Sequence, residues 1–308
     1  MTQWHNDIHH SAAAAVVVGV DGSPGATTAL DWAADLADRR GRELRVVHGA
    51  DAAGLRLLHQ RYGKRMPELG GHLRAQDART ADEAVRRVRA RHPRLRVSVG
   101  VSDENPAGLL IRHSATAYRL VIGPSGTSAV PGHLGSILLT IAAHAEGAVA
   151  VVRTDPDSGH RVREDGPVVV GIDGSPVSEE ALAAAFEEAA ERKAELVAVH
   201  AWSDLDLGWM AGQFQLLVPV NDIGETEREI LAERLAGWQE QYPDVPVARR
   251  KYLADPVAAL REWSKSAQLL VVGSHGRGGY LGMLLGSTSN ALVQHAQCPV
   301  LVVHPERR

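Results

Sequence analysis

The chain has 308 residues, of which 44% are hydrophobic and 23% charged, and its formal net charge is −4 at pH 7. This length is sufficient for two domains, and no apolar run is long enough to span a bilayer, so a membrane protein is not expected. The chain has a single cysteine, Cys298, which excludes an internal disulfide framework. Because no secretory leader is recognisable, we expect a cytoplasmic protein. We expect the thiol of Cys298 to be packed in the core rather than reactive.

The first predicted strand belongs to a segment that occurs twice. Residues Val16–Pro24 read VVVGVDGSP, and Val168–Pro176 read VVVGIDGSP. Later matches follow at nearly the same separation, which indicates tandem domains. We predict two domains joined by a polar linker and preceded by a flexible tail, with the tail at 1–14, the first domain at 15–153, the linker at 154–166 and the second domain at 167–308.

In each copy, short apolar runs alternate with segments of helical periodicity. Such runs indicate strands buried on both faces, and their alternation with helices indicates a parallel sheet covered on both sides. The predicted fold class is therefore α/β, with two tandem, doubly wound, five-stranded parallel sheets of the Rossmann-like type. In the second copy we predict strands at Val168–Ile172, Leu196–Trp202, Val245–Leu253, Leu269–Gly273 and Val300–Val303, and helices from Pro176 and at Glu225–Gln241, Val257–Lys265 and Ser287–Gln297.

A basic stretch, Arg74–Arg96, lies in the first copy. No aromatic residues are interleaved with its arginines, which fall on several faces of a predicted helix. This pattern is typical of a solvated helix face, and we therefore do not expect the protein to bind nucleic acid.

The second copy carries a spaced glycine motif after its predicted fourth strand: Gly273-Ser-His-Gly276, nine further residues, then Gly286-Ser287. A strand that ends in glycine and a helix that starts nearby both present backbone N–H groups, which suit a phosphate. Neither a dinucleotide fingerprint after the first strand nor a P-loop is present. Ligands of open α/β sheets lie beyond the carboxyl ends of strands where strand order reverses, so we expect Asp173 to face this loop.

Together these motifs resemble the universal stress protein family in its tandem-domain form. The resemblance rests on the two V-G-[VI]-D-G-S segments, on second strands that end in His48-Gly49 and His200-Ala201, and on the glycine motif. It covers nearly the whole chain, from Val16 to His304. The resemblance implies the family's fold and a homodimer. It also implies that the protein binds ATP, ADP or AMP, with or without Mg²⁺. The implied role is that of a regulator or sensor in the stress response.

The resemblance also implies a role for individual residues of the second copy. Gly171 and Asp173 match the adenosine end, where the carboxylate accepts from ribose hydroxyls or the adenine amine, and Ala201 matches a backbone contact to adenine. The remaining matches form the phosphate loop and the segment that holds the terminal phosphates: Gly273, Ser274, His275, Gly276, Arg277, Gly278, Gly279, Gly286, Ser287 and Thr288.

Simpler explanations exist for several of these residues. Asp173 and Ser287 could be helix caps without a ligand. His275 is expected to be a loop histidine rather than a catalyst, and His48 and His200 are expected to be hydrogen-bonded core histidines.

The first copy departs from the glycine motif. Its spacing is one residue shorter, Pro124 removes a backbone donor, and Thr127 stands where the second copy has Arg277. We therefore predict that nucleotide binds chiefly to the second copy and weakly or not at all to the first. The corresponding residues of the first copy, assigned on weaker grounds, are Gly19, Asp21, Gly49, Gly123, Gly126, Gly135 and Ser136.

Two other functions remain open at this stage. Arg277 and His275 could support slow ATP hydrolysis, although we assign no catalytic residue and no metal site, because the loop has no acidic pair to hold Mg²⁺. Alternatively, the chain could be a structural dimerisation module with vestigial nucleotide sites. We expect a homodimer in which the edge strands Ala148–Val152 and Pro299–Val303 pair within each chain as a pseudo-dimer. The sequence does not identify a protein partner.

Overall fold

The computed structural model describes residues 9–50, 69–124, 136–155, 159, 161–202, 235–276 and 285–305. The chain divides into two compact units, Met1–Arg153 and Thr154–Pro305. In both units, parallel strands alternate with helices along the chain.

The first unit contains five parallel strands. Its elements are β1 (Val16–Gly19), α1 (Pro24–Arg39), β2 (Leu44–Gly49), α2 (Leu69–Arg91), β3 (Val97–Ser102), α3 (Pro106–Ser114), β4 (Arg119–Ile122), α4 (Ser136–His144) and β5 (Ala148–Val151). The strands lie in the order β3-β2-β1-β4-β5, so the strand order reverses between β1 and β4.

The second unit repeats this arrangement. Its elements are β6 (Val168–Gly171), α5 (Pro176–Arg192), β7 (Leu196–Trp202), helical residues 235–241 (α6), β8 (Val247–Leu253), α7 (Pro256–Trp263), β9 (Leu269–Gly273), α8 (Ser287–His295) and β10 (Val300–Val303). The parallel order is β8-β7-β6-β9-β10, with the reversal between β6 and β9. The predicted fold class is confirmed.

Some strands and helices begin or end at other residues than predicted, for local structural reasons. Strand β8 begins later than predicted because the Val245 N–H donates to Tyr242 O in a turn, at 3.2 Å. Helix α8 ends at His295 because Ala296 is extended, with φ −64° and ψ 154°. Of the predicted helix at 225–241, residues 235–241 are helical and the others lie outside the described residues.

The core of each unit lies on both faces of its sheet. Strands β4, β5 and β10 are buried at every position, as continuous apolar runs require. In the second unit Phe186 of α5 stacks on Trp238 and Tyr242 of α6, with ring centroids 6.2 and 5.7 Å apart. Cys298 is fully buried, and desolvation raises the pKa of its thiol to about 12, so this residue is packed, as expected.

The basic stretch of the first unit forms a solvated helix face, as predicted. Ala84 and Val88 of α2 are buried, whereas Arg86 and Arg89 on the same helix are exposed. Arg87 donates two hydrogen bonds of 2.7 Å to the carboxylate of Asp31 on α1. The stretch therefore stabilises the packing of two helices.

Residues 9–14, the part of the predicted tail that the structure describes, contact the first unit. Arg42 Nη1 donates to Ser11 O at 2.7 Å and to Ala14 O at 2.9 Å. His9 Nδ1 lies 2.8 Å from Ala117 O. These bonds hold the segment beside the loops that precede β2 and β4.

Near the start of the second unit, the backbone at Gly166 lies close to that of Ser266. Its φ is +99°, and a Cβ at this position would overlap Ser266 O. The Gln268 side-chain amide donates to Gly166 O at 2.6 Å. Earlier in the same segment, Arg163 donates to the buried carboxylate of Asp155 at 2.7 Å.

Replacing Gly166 with alanine is expected to destabilise the second unit through both backbone strain and overlap. Gly41 is the control, because its φ is +61° and nothing lies within 4 Å of an added Cβ. Gly41→Ala should cost only the strain, about 1–2 kcal/mol. Gly166→Ala should cost about 1–3 kcal/mol more in urea unfolding. Equal losses for the two variants would contradict the close packing at Gly166.

Candidate functional site

The candidate site lies at the carboxyl ends of β6 and β9, which are adjacent where the strand order reverses. Gly171 ends β6 and Gly273 ends β9. Both glycines are closely surrounded: an added Cβ would lie 2.9 Å from Leu260 Cδ1 at Gly171 and 2.9 Å from Val177 Cγ1 at Gly273. The loops that follow these two strands provide most of the predicted site residues.

Asp173 lies in the turn between β6 and α5. Its Oδ1 accepts a hydrogen bond from the Ser175 N–H at 2.9 Å, and Gly174 between them has a φ of +78°, which suits glycine. The N-cap of α5 is Ser175, whose Oγ accepts from Ser178 N at 3.2 Å. The alternative that Asp173 caps this helix is therefore wrong.

The second carboxylate oxygen of Asp173 faces the loop that follows β9. A Cβ placed on Gly276 would overlap Asp173 Oδ2. The expectation that Asp173 faces this loop is confirmed. Only glycine at position 276 leaves the carboxylate where it is, so the turn after β6 and the loop after β9 approach each other closely here.

Hydrogen bonds hold the base of the β9–α8 loop. The Ser274 N–H donates to Val303 O on β10 at 2.7 Å, and Ser274 O accepts from the Gly286 N–H, also at 2.7 Å. Ser289 Oγ donates to Gly273 O at 2.6 Å. These bonds bring the start of α8 back to the end of β9.

Helix α8 begins beside Gly276. Its N-cap is Gly286, which has no side chain to accept from the first helical N–H groups. The alternative that Ser287 is the N-cap is therefore wrong; Ser287 is exposed and Thr288 half-buried in the first turn. A Cβ on Gly286 would lie only 3.8 Å from Gly276 N. The positive end of the helix dipole thus adjoins Gly276, and this arrangement favours an anion.

His275 is fixed by its neighbour in the loop. Its Nδ1 lies 3.0 Å from Ser274 Oγ, and Ser274 is fully buried. Three further predicted residues, Arg277, Gly278 and Gly279, lie outside the described residues.

His200 connects the end of β7 to the turn that holds Asp173. Its Nδ1 lies 2.7 Å from Ile172 O, and the residue is only 7% exposed. The expectation of a hydrogen-bonded core histidine is confirmed, but its contact with the residue before Asp173 was not anticipated. The recurrence of histidine at the same place in both copies was the available signal. Ala201 follows, half-buried and paired with Tyr252 of β8.

The first unit repeats the turn after its first strand. Gly19 ends β1, and Asp21 Oδ1 accepts from the Ser23 N–H at 2.9 Å across Gly22, which has a φ of +79°. His48 Nδ1 lies 2.7 Å from Val20 O, the residue before Asp21. Gly49 ends β2. The second ring nitrogen of His48 contacts Asp77 Oδ1 at 2.9 Å.

The loop after β4 in the first unit differs from its counterpart after β9. A Cβ on Gly123 would overlap Gly25 O, and a Cβ on Gly25 would overlap Pro124 O, so two backbone segments are in direct contact. In the second unit Val177 stands at the position of Gly25, and a Cβ on Gly273 would lie 2.9 Å from Val177 Cγ1 and 3.3 Å from Val177 O. Gly126 and Gly135 lie outside the described residues.

Helix α4 in the first unit has two aliphatic residues where α8 has hydroxyl side chains. Ser136 is its first residue, as Ser287 is in α8. The next two residues are Ile137, which is 42% exposed, and Leu138, which is buried. They replace Thr288 and Ser289 of the second unit. Leu138 has no hydroxyl group to bind a carbonyl at the end of β4.

Within the described part of the chain, no group of three or more His, Cys, Asp or Glu residues could hold a metal ion. None of the helices in that part is long and apolar enough to cross a membrane.

Comparison with known proteins gives one family. The model of the universal stress protein family matches twice, at residues 14–153 and 166–304. A universal stress protein of Mycobacterium tuberculosis is 42% identical over 299 residues, which cover 93% of this chain and 96% of the relative. One of Mycolicibacterium smegmatis is 40% identical over 296 residues, which cover 94% and 97%.

One solved structure is similar to this chain along nearly the whole length of both chains. The crystal structure of a universal stress protein from Archaeoglobus fulgidus superposes with a TM-score of 0.64 at 19% identity, covering 95% of this chain and 98% of that one. At this identity the similarity concerns the fold alone.

Ser289 was not among the predicted site residues, and its contribution can be measured. Ser289→Ala removes the bond to Gly273 O and should cost about 1 kcal/mol of unfolding free energy. Ser287→Ala is the control, since it is the same change in the same helical turn at an exposed position. In urea unfolding, Ser287→Ala should change stability little. Similar losses for both variants would contradict the role of Ser289 in holding the loop.

Proposed function

The chain belongs to the universal stress protein family, and we propose that its second unit binds ATP or another adenine nucleotide as part of a regulatory or sensory role. The observation that carries this proposal is the convergence of Asp173, Gly276 and the start of α8 at the strand-order reversal. A carboxylate on one side and a helix N-terminus on the other suit a ligand with hydroxyl groups at one end and phosphates at the other.

At the adenosine end, Asp173 is the acceptor. Its Oδ1 is oriented by the Ser175 N–H, and its Oδ2 points toward the loop that would cover the ligand. Each carboxylate oxygen has two lone pairs, so the group can accept from ribose hydroxyls or from the adenine amine while it keeps its bond to Ser175. His200 holds the preceding carbonyl and so keeps the turn in place.

At the phosphate end, backbone N–H groups would donate most of the hydrogen bonds to the ligand. The first turn of α8 has no side-chain cap, and glycines at 276 and 286 allow a phosphate to approach the backbone closely. Arg277 would add a positive charge, and Mg²⁺ bound with the nucleotide would neutralise phosphate oxygens. The hydroxyl groups of Ser287 and Thr288 are available as further donors.

We place the main site in the second unit because the first unit lacks several of these groups. Ile137 replaces Thr288, Thr127 replaces Arg277, and Pro124 has no N–H to offer. A regulatory role also requires that the nucleotide bind two states of the protein with different affinity, since only that difference can shift the equilibrium between them. Membership of the universal stress protein family supports this role.

Isothermal titration of the full chain with MgATP tests the proposal. Asp173→Ala should lower the affinity about 10- to 100-fold, because a hydrogen bond to a charged group contributes about 1.5–3 kcal/mol. Asp21→Ala is the matched control, since it removes the same Asx-type bond, to Ser23 instead of Ser175. That variant should leave the main affinity unchanged. No binding by the unmodified chain, or equal effects of the two variants, would contradict the proposal.

A further inference from the structure

We propose that strand β3 is a docking edge for a second copy of this chain, with the two β3 strands paired antiparallel about a two-fold axis at Gly100. This edge belongs to the first unit and contains none of the residues assigned to nucleotide binding. The interface is therefore independent of the proposed function, and either can fail without the other.

Strand β3 has an unpaired side. It ends the parallel order of the first unit, and β2 is its only neighbour among the described strands. Ser102 O accepts from the Ala50 N–H at 2.8 Å, so this carbonyl points toward β2. Because successive residues of a strand direct their backbone groups to opposite sides, the N–H and C=O groups of Val99 and Val101 point away from β2. Such an edge is a template for another strand.

The exposed side chains on β3 are apolar. Val99 is 46% exposed and Val101 is 51% exposed, and residues two apart lie on the same face of a strand. In the part of the chain that the structure describes, Ile137 is the only other large hydrophobic residue that is exposed. One exposed valine is ordinary, but two neighbours on an unpaired edge favour a further strand beside them.

The corresponding edge of the second unit carries charges. By register with the neighbouring strand, residues 99–101 of β3 correspond to residues 249–251 of β8, which are Arg-Arg-Lys. Charged side chains on an edge strand oppose the addition of another strand. Strand β3 reads VSVGVS and has neither a charged residue nor a proline. It therefore lacks the protection that β8 has.

Gly100, at the centre of β3, supports the same interface. Glycine weakens the interior of a strand, and the chain itself does not require one here, because its φ is not positive and nothing lies within 4 Å of an added Cβ. Glycines in strands occur where another backbone approaches closely. In the proposed register Gly100 lies opposite its own copy, with Cα atoms about 4.5 Å apart, and Val99 exchanges backbone hydrogen bonds with Val101 of the second copy.

Charges at the two ends of β3 favour the antiparallel direction. Arg96 directly precedes the strand, and Asp103 and Glu104 directly follow it; all three are exposed. Antiparallel pairing places the arginine of one copy near the carboxylates of the other, whereas parallel pairing would bring like charges together. Glu104 also pairs with Arg112 of its own chain, and each carboxylate oxygen can accept more than one hydrogen bond.

Sedimentation velocity of the full chain at several concentrations tests the interface. One strand pair buries less surface than a stable dimer needs, so the weight-average mass should rise with concentration. Val99→Arg combined with Val101→Lys copies the charges of β8 and should abolish this rise without changing thermal unfolding. Ile137→Lys is the control, since it places a cation at the other exposed aliphatic position, and it should keep the rise. A mass independent of concentration in the unmodified chain, or equal behaviour of the two variants, would overturn the proposal.

A disulfide at position 100 tests the register and identifies the occupant. The thiol of Cys298 is fully buried and does not compete. Under mild oxidation Gly100→Cys should form a cross-linked dimer that a reductant separates, because the opposed Cα atoms are within disulfide range. Arg250→Cys, at the corresponding position of β8, should not cross-link. Failure of Gly100→Cys to cross-link, or equal yields from both variants, would contradict pairing of two β3 strands.

Discussion

The close approach of the Asp173 carboxylate to Gly276 is the constraint on which the candidate site depends. It joins the turn after β6 to the loop after β9, the two strands between which the strand order reverses. Ser175 and His200 hold the turn from one side, and Ser274, Gly286 and Ser289 hold the loop from the other. A side chain at position 276 would displace the Asp173 carboxylate from this place. The site is therefore a property of the paired loops rather than of any single residue.

The two units retain one scaffold while residues at its carboxyl edge differ. The turn after the first strand and the histidine of the second strand have the same geometry in both units. The start of the last helix does not: aliphatic side chains in α4 stand where α8 has hydroxyl groups. Burial of the sheet strands fixes the fold in each unit, and this leaves the helix starts and loops at the carboxyl edge to vary.

Much of the architecture was predictable, because repeated apolar runs and the Gly-Ser-Pro turns specify buried strands and helix starts directly. The approach of Asp173 to the glycine loop followed from topology alone. Contacts that depend on side-chain rotamers were not predictable: the Ser289 bond to Gly273 O and the His200 bond to Ile172 O join residues distant in sequence. The two capping alternatives failed because the N-caps are Ser175, two positions after Asp173, and Gly286, one position before Ser287.

The central claim is that phosphates contact the backbone at Gly276 and at the first turn of α8. Amide proton–nitrogen correlation spectra of the labelled chain, recorded with MgATP and with adenosine, test it most directly. We expect MgATP to shift the amide signals of Gly276, Ser287 and Thr288, and adenosine to leave those of Ser287 and Thr288 in place. Identical shifts with both ligands, or MgATP shifts confined to other parts of the chain, would contradict it.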